Sequence, residues 1–129
     1  MLNSAIAISF GAVLGALSRY YLGLWLVVGL GEDFPYATFT VNIVGSFVMG
    51  AITTIVASQV VQIPKELVLL ITVGFLGSFT TFSSYILDSA YLLESGRSQL
   101  ALLYWLGSPI CGFLGLQMGM AIGRLLGHE

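Results

Sequence analysis

Apolar residues dominate the chain in four long runs that contain no charged side chain. The runs cover residues 1–18, 34–64, 67–87 and 98–123 and are 18, 31, 21 and 26 residues long. About 20 apolar residues are enough for a helix to cross a bilayer. The pattern therefore predicts four membrane-spanning helices, at about residues 3–29, 36–58, 65–93 and 98–126.

The segments that connect the predicted helices are short, near residues 30–35, 59–65 and 94–98. Short connections make consecutive helices antiparallel, so we expect residues 1–129 to form one four-helix integral membrane domain. The apolar start without a basic segment predicts a first span and not a removable signal. The alternation over about 10 residues that is typical of outer-membrane barrel strands does not occur.

The third run carries a motif that should interrupt its helix. Gly74 and Gly77 are followed by hydroxyl side chains at positions 78, 80, 81, 83 and 84. Such side chains compete for backbone hydrogen bonds and weaken a helix. Lipid cannot pair the backbone groups that a break frees, so protein or a water-filled cavity must surround it. The prediction is an all-α fold whose third helix is broken mid-membrane.

Composition agrees with an integral membrane protein and offers little for catalysis. The chain is 57% hydrophobic and 8% charged, with a mean hydropathy of +0.99, whereas soluble domains carry roughly 25% charged residues. The single cysteine, Cys111, is interpreted as a small hydrophobe in the last span, and the single histidine, His128, as solvated. Without a metal-ligand cluster or a nucleophile–base pair, the chain is predicted not to be an enzyme.

Positive charges are almost evenly divided between the two predicted sides of the membrane. Lys65 and Arg124 fall on one side, and Arg97 and Arg19 fall on the other. Because the Lys and Arg bias sets orientation, two interpretations stay open. The chain either has one weakly determined orientation or inserts both ways and forms an antiparallel homodimer.

Two polar residues stand out in the first half of the chain. Arg19 lies late in the first span, where it either extends to the interface or acts directly on an ion. Asn42 lies on a polar face of the second span with Thr38 and Ser46. Its amide either joins two helices or donates hydrogen bonds to an anion.

The fourth span repeats this pattern with Tyr104 and Ser108 on one face. Pro109 lacks an N–H and should leave the Trp105 carbonyl without a helical partner. Apart from Asp88 near the end of the third span, the polar groups inside the spans are neutral or, at Arg19, cationic. A path lined by hydroxyls, an amide and aromatic edges suits a small anion.

Three segments together resemble the Fluc family of fluoride channels from prokaryotes and lower eukaryotes. The first is residues 15–20 (GALSRY), and the second is residues 41–47 (VNIVGSF). The third is residues 74–83, in which GFLG is followed by TTFS. The resemblance extends in order over nearly the whole chain. It implies a dual-topology homodimer in the cell (inner or plasma) membrane, with two antiparallel pathways that passively release fluoride from the cytoplasm.

The resemblance also assigns roles to individual residues. Asn42 looks like the pore amide, and Phe82 looks like an aromatic ring whose edge faces fluoride. Gly77 and Thr80 look like backbone carbonyl donors to a structural sodium ion on the two-fold axis of the dimer. The complete predicted fluoride pathway consists of Arg19, Thr38, Asn42, Phe82, Ser83, Ser84, Tyr85, Tyr104 and Ser108. The expected partners are fluoride, the lipid bilayer and a second, antiparallel copy, with no nucleic acid.

The chain departs from the family pattern at three positions. Tyr85 stands where Phe is usual, Asp88 where Glu is frequent, and Gly112 where some members carry Ser. Tyr85 can act through its ring edge or through its hydroxyl.

Two other functions are alternatives for a chain of this kind. One is a four-helix dual-topology proton-coupled drug exporter, which needs a membrane-embedded carboxylate to carry protons. The other is a non-transporting assembly subunit.

Overall fold

The computed structural model describes residues 1–127, and its four spans are helical apart from a break in the third. Helix α1 covers Leu2–Leu30, α2 covers Tyr36–Ser58, and α6 covers Ser98–Leu126. Between α2 and α6 the third span runs from Lys65 to Glu94. Each of these four segments is long and apolar enough to cross a membrane, so this is a multi-pass membrane protein. His128 and Glu129 lie outside the described residues.

The third span consists of four pieces. Helix α3 (Lys65–Leu69) continues into a π-helix (Leu70–Leu76) and then into the short helix α4 (Gly77–Phe79). Thr80 and Thr81 are extended, and helix α5 then covers Phe82–Glu94. The interruption occurs at the hydroxyl-rich segment that follows Gly77, near the middle of the span.

Glycines in α1 allow the π-helix to approach closely. A Cβ atom on Gly11 would collide with the Leu70 carbonyl oxygen, and one on Gly15 would collide with the Phe75 carbonyl oxygen. On the other side of this contact, a Cβ on Gly74 would lie 2.5 Å from the Ile8 carbonyl oxygen. Small residues of this kind let helix backbones meet inside a membrane.

A second helix pair is formed by α2 and α6, again through glycine. A Cβ atom on Gly119 would collide with the Phe47 carbonyl oxygen, and one on Gly50 would collide with the Leu116 carbonyl oxygen. In α2, Gly45 faces the break, because a Cβ there would collide with the Thr80 methyl group. The break therefore packs against α2.

Most large apolar side chains point away from the chain. The small buried core beside the break contains Tyr85, Leu92, Ala101 and Tyr104. By contrast, the outward face of α1 exposes residues such as Phe10, Leu17 and Trp25. An apolar exterior of this kind is compatible with lipid or with a second protein chain, because both exclude water.

Candidate functional site

Side chains bind backbone groups at the break, two of them from other helices and one from the break itself. Thr80 has φ −81° and ψ 156°, and Thr81 has φ −150° and ψ 118°, so both residues leave the helical region. A break inside a membrane must pair its stranded N–H and C=O groups within the protein. Three side chains perform this pairing.

Asn42 pairs with both backbone groups of Thr81. Its Nδ2 donates to the Thr81 carbonyl oxygen at 3.0 Å, and its Oδ1 accepts from the Thr81 N–H at 2.7 Å. An asparagine amide carries two N–H donors. One of them is therefore left for another partner after the Thr81 carbonyl is bound.

Arg19 and Thr81 bind the two flanks of the break. The Nε of Arg19 donates to the Ser78 carbonyl oxygen at 2.9 Å, which places the guanidinium against the end of α4 and not at the interface. The Oγ1 of Thr81 accepts from the Ser84 N–H at 3.3 Å and donates to Ser84 Oγ at 2.9 Å. Thr81 is thus the N-cap of α5.

A cavity of about 320 Å³ lies beside the break, and we call it the break cavity. It is lined by Asn42, Ser46, Phe82, Tyr85, Ser108, Pro109, Gly112, Phe113 and Leu116. The Ser108 hydroxyl is buried and has no hydrogen-bond partner within residues 1–127. A buried hydroxyl without a partner is unusual in a folded protein and indicates a place where a small polar species can bind.

An aromatic row leads from the break cavity toward one end of the bundle. The ring centroids of Phe82 and Tyr85 are 5.8 Å apart, and those of Tyr85 and Tyr104 are 5.4 Å apart. Phe34 continues the row, edge to face with Tyr104 at 5.5 Å. The exposed fraction of these residues falls along the row, from 75% at Phe82 to 2% at Tyr104.

A second cavity, of about 530 Å³, opens where α1 ends and α2 begins, and we call it the end cavity. Its lining includes Thr38, Asp88 and Arg97. The Tyr104 hydroxyl donates to Asp88 Oδ2 at 3.2 Å, so Tyr104 connects this cavity with the aromatic row. The Nη1 of Arg97 donates to the Asp33 carbonyl oxygen at 2.5 Å.

The predicted pathway residues divide into three groups in the structure. Four of them, Asn42, Phe82, Tyr85 and Ser108, line the break cavity. Thr38 lines the end cavity, and Tyr104 lies between the two cavities. The other three are placed at the break: Arg19 and Ser84 take part in its hydrogen bonds, and Ser83 is exposed.

Sequence reasoning did not single out two residues that the site uses. Thr81 binds Asn42 and caps α5, and Phe34 extends the aromatic row. Thr81 carried a signal, because a threonine three residues before Ser84 is a typical N-cap spacing. Phe34 lies in the connection between two spans, and nothing local distinguishes it from an interfacial anchor.

The carbonyl oxygens of Gly77 and Thr80 lack the backbone donors that a continuous helix would give them. In a continuous helix the Thr81 N–H would bind the Gly77 carbonyl, and the Ser84 N–H would bind the Thr80 carbonyl. Here those donors bind Asn42 Oδ1 and Thr81 Oγ1 instead. Gly77 is exposed, and carbonyl oxygens are ligands that suit a hard cation. Residues 1–127 contain no cluster of His, Cys, Asp and Glu side chains that could hold a metal ion.

Comparison with known sequences identifies one matching family and several similar proteins. The profile of the family described as "CrcB-like protein, Camphor Resistance (CrcB)" matches residues 6–120. A protein of Trichormus variabilis named "Fluoride-specific ion channel FluC" is 48% identical over 122 residues, which cover 95% of this chain and 89% of the relative. Proteins with the same name from Synechococcus and Synechocystis are 45% and 44% identical, over 96% and 97% of this chain and 95% of each relative.

Proposed function

The chain belongs to the CrcB family, and from this membership we propose that it is a fluoride channel that lets fluoride leave the cytoplasm passively. The observation that carries the proposal is the break cavity, which is lined by Asn42, by the unpartnered Ser108 hydroxyl and by three aromatic residues, Phe82, Tyr85 and Phe113. The relatives described above are named as ion channels, and the protein is not an enzyme.

The break cavity has the chemistry that fluoride conduction requires. Its lining contains N–H, O–H and ring edges but no Lys, Arg, Asp or Glu. Aromatic edges carry the positive side of the ring quadrupole. Neutral donors can replace part of the hydration shell and still release the ion, whereas a buried cation would hold it tightly. Arg19 is bound to the Ser78 carbonyl and does not line this cavity.

The pathway we propose runs along the aromatic row. Fluoride enters at the end cavity beside Thr38, passes Tyr104, and reaches the break cavity. There Asn42, Ser108 and the edges of Phe82 and Tyr85 replace water around the ion. Ser83 and Ser84 lie at the start of α5 and supply hydroxyls next to the exposed Phe82.

We propose that two copies assemble as an antiparallel dimer with two pathways in the inner or plasma membrane. In the single chain Gly77, Phe82 and Ser83 are exposed although they lie at the middle of a span. Lipid cannot satisfy a backbone break at this depth, so a second protein surface should cover it. The nearly balanced Lys and Arg residues allow the two copies to insert with opposite orientations.

The same interface offers a place for a structural sodium ion. The Gly77 and Thr80 carbonyls have lost their helical donors, and Gly77 is exposed while Thr80 is half-buried. A two-fold axis through this point would bring together the carbonyls of both copies, and a hard cation accepts such an oxygen set. The sodium would fix the two breaks against each other and take no part in conduction.

A proton-coupled exporter fits the structure less well. It needs a carboxylate within the membrane that can exchange protons with a bound cargo. Asp88 is the carboxylate nearest to the aromatic row, and it lies in the end cavity, where it accepts a hydrogen bond from Tyr104. A non-transporting subunit would have no need for the unpartnered Ser108 hydroxyl.

Fluoride efflux from liposomes tests the proposal. Purified protein is reconstituted into vesicles loaded with potassium fluoride or potassium chloride, and efflux is started with a potassium ionophore. We expect rapid release of fluoride and retention of chloride. Equal release of both anions would contradict selectivity, and retention of both would contradict the channel itself. A pH gradient should not be needed, which separates a channel from a proton-coupled exporter.

A further inference from the structure

The Tyr85 hydroxyl makes a contact that a role in the ion pathway does not require. It donates a hydrogen bond to the main-chain carbonyl oxygen of Trp105 in α6. Trp105 lies four residues before Pro109, which stands inside the same helix. In a regular α-helix the N–H of residue 109 would bind this carbonyl, but proline has no N–H. Tyr85 therefore replaces the missing helix donor with a side chain from α5.

The membrane makes this replacement important. The Trp105 carbonyl lies inside a membrane-spanning helix, where lipid offers no hydrogen-bond donor. Tyr85 is only 6% exposed, so water has little access to its side chain. Each group satisfies the other, and removal of either would leave a buried polar atom unpaired.

The same contact decides what the Tyr85 hydroxyl can offer to an ion. A phenol has one proton to donate, and here that proton is directed to Trp105. The hydroxyl is therefore not a free donor in the break cavity, and the ring edge is the part of Tyr85 left for an anion. A hydroxyl held on α6 also fixes the direction of the ring's long axis, whereas the tilted contacts with Phe82 and Tyr104 limit rotation about that axis.

We propose that the Tyr85 hydroxyl is a positioning group: by binding the carbonyl that Pro109 leaves free, it fixes where the ring lies beside the break cavity. The hydroxyl has two effects that can be separated. It satisfies Trp105, which stabilises the contact between α5 and α6, and it anchors the ring, which controls conduction. The conduction part of this inference rests on the proposed channel function, and the stability part does not.

A double-mutant cycle with Tyr85→Phe and Pro109→Ala separates the two effects. Alanine at position 109 restores an N–H for the Trp105 carbonyl but does not restore an anchor for the ring at position 85. Two quantities are measured for each protein. The first is the thermal unfolding midpoint in detergent, and the second is the fluoride efflux rate per active dimer, corrected for the fraction of vesicles that contain an active channel.

Tyr85→Phe should lower the midpoint and slow efflux per dimer by roughly tenfold. Pro109→Ala alone is the reference for the double variant, because position 109 lines the break cavity. Its midpoint should not fall, because the Trp105 carbonyl oxygen can accept a hydrogen bond from the alanine N–H at position 109 and one from Tyr85. The double variant should regain the midpoint but keep the slow efflux. Tyr21→Phe, which removes a hydroxyl from an exposed ring on α1, is the matched control and should change neither quantity.

Two results would overturn the inference. Unchanged midpoint and efflux in Tyr85→Phe would show that the hydroxyl has no role, and recovery of both quantities in the double variant would reduce Tyr85 to a structural contact. If the unmodified protein releases no fluoride, the proposed function fails instead. The midpoints of the four proteins still measure the coupling between Tyr85 and Pro109 in that case.

Discussion

The side-chain amide of Asn42 pairs with the backbone amide of Thr81 through two hydrogen bonds, of 3.0 Å from Nδ2 and 2.7 Å to Oδ1. The pairing imitates a contact between two peptide groups and joins α2 to the broken third span. It also fixes the orientation of the Asn42 amide, because the nitrogen must face the carbonyl and the oxygen must face the N–H. The remaining N–H of Asn42 is thereby held at the break cavity.

Substitution of Asn42 should separate support of the break from conduction. Asn42→Ala strands the N–H and the C=O of Thr81, each of which costs about 1–3 kcal/mol when buried without a partner. We expect low stability and no fluoride efflux. Asn42→Asp keeps an acceptor for the Thr81 N–H, so it should be more stable than Asn42→Ala. It should still block fluoride, because it places a carboxylate in the break cavity.

Unfolding midpoints and liposome efflux measure these two effects. Asn3→Ala, at the exposed start of α1, is the control and should behave like the unmodified protein. Normal fluoride efflux in Asn42→Asp would contradict the assignment of Asn42 to the pathway.

The position of the helix break could be predicted from the sequence, but the π-helix before it could not. Two glycines and five hydroxyl residues predicted that the helix would fail near Gly77, and the extended residues are Thr80 and Thr81. The π-helix over Leu70–Leu76 could not be predicted in the same way, because Gly74 marks a weak point in the helix but does not indicate a π-helix. It lies where the glycines of α1 approach most closely, and this is a tertiary contact that local propensity cannot encode.

The hydrogen-bond partners of polar groups on other helices could not be predicted from the sequence either. Pro109 predicted that the Trp105 carbonyl would lose its helical donor, but the donor that replaces it comes from Tyr85 on α5. The polar face of α2 left two interpretations of Asn42 open, an interhelical contact and an anion donor, and neither indicates its partner Thr81, which is 39 residues away. Both pairs follow from how α5 and α2 pack against their neighbours. A list of polar positions names the groups that need partners but not the partners themselves.

Packing between α2 and α6 should tolerate no additional methyl group at Gly119. A Cβ there would overlap the Phe47 carbonyl oxygen of the facing helix, and backbone cannot move aside as a flexible side chain can. We expect Gly119→Ala to destabilise the protein by about 1–3 kcal/mol. Gly29→Ala provides the control, because nothing lies within 4 Å of its added Cβ. Equal unfolding midpoints for the two variants would contradict the close approach of α2 and α6.

Dual topology should be visible by labelling the connection between α2 and α3. Gln62→Cys places a thiol in this exposed segment, and Cys111→Ser removes the native thiol from α6. In an antiparallel homodimer about half of the thiols face each side of the membrane. A membrane-impermeant maleimide should therefore label about half of the protein in intact cells and the rest after permeabilisation. Labelling from a single side would exclude the antiparallel arrangement.

A structural sodium ion should make dimer stability depend on the cation in solution. Replacement of sodium by N-methyl-D-glucamine should lower the unfolding midpoint of the dimer, because a ligand at 100 times its Kd contributes about 2.7 kcal/mol. Gly77→Val places a branched side chain beside the carbonyl proposed to bind sodium, so it should reduce dimer yield, fluoride flux and the response to sodium. A Cβ at Gly77 meets only the Thr72 carbonyl oxygen, at 3.8 Å, so the fold of the single chain should survive.

Gly107→Val is the control for this test, because nothing lies within 4 Å of its added Cβ and it is distant in sequence from the break. It should keep the sodium response of the unmodified protein. If the stability of Gly77→Val depends on sodium as strongly as that of the unmodified protein, the ion does not bind at the Gly77 carbonyl.

Phe82 provides the most direct test of an aromatic pathway. Its ring is 75% exposed in the single chain, next to the break and 5.8 Å from the ring of Tyr85. An isoleucine of similar hydrophobicity keeps much of the bulk but has no positive ring edge for an anion. Phe82→Ile should therefore slow fluoride efflux, and at least as strongly as Tyr85→Ile, because Phe82 lies nearer the middle of the span. Phe10→Ile, on the exposed face of α1, makes the same chemical change away from both cavities and should conduct normally. Undiminished efflux per active dimer in Phe82→Ile would mean that fluoride passes the break without help from this ring.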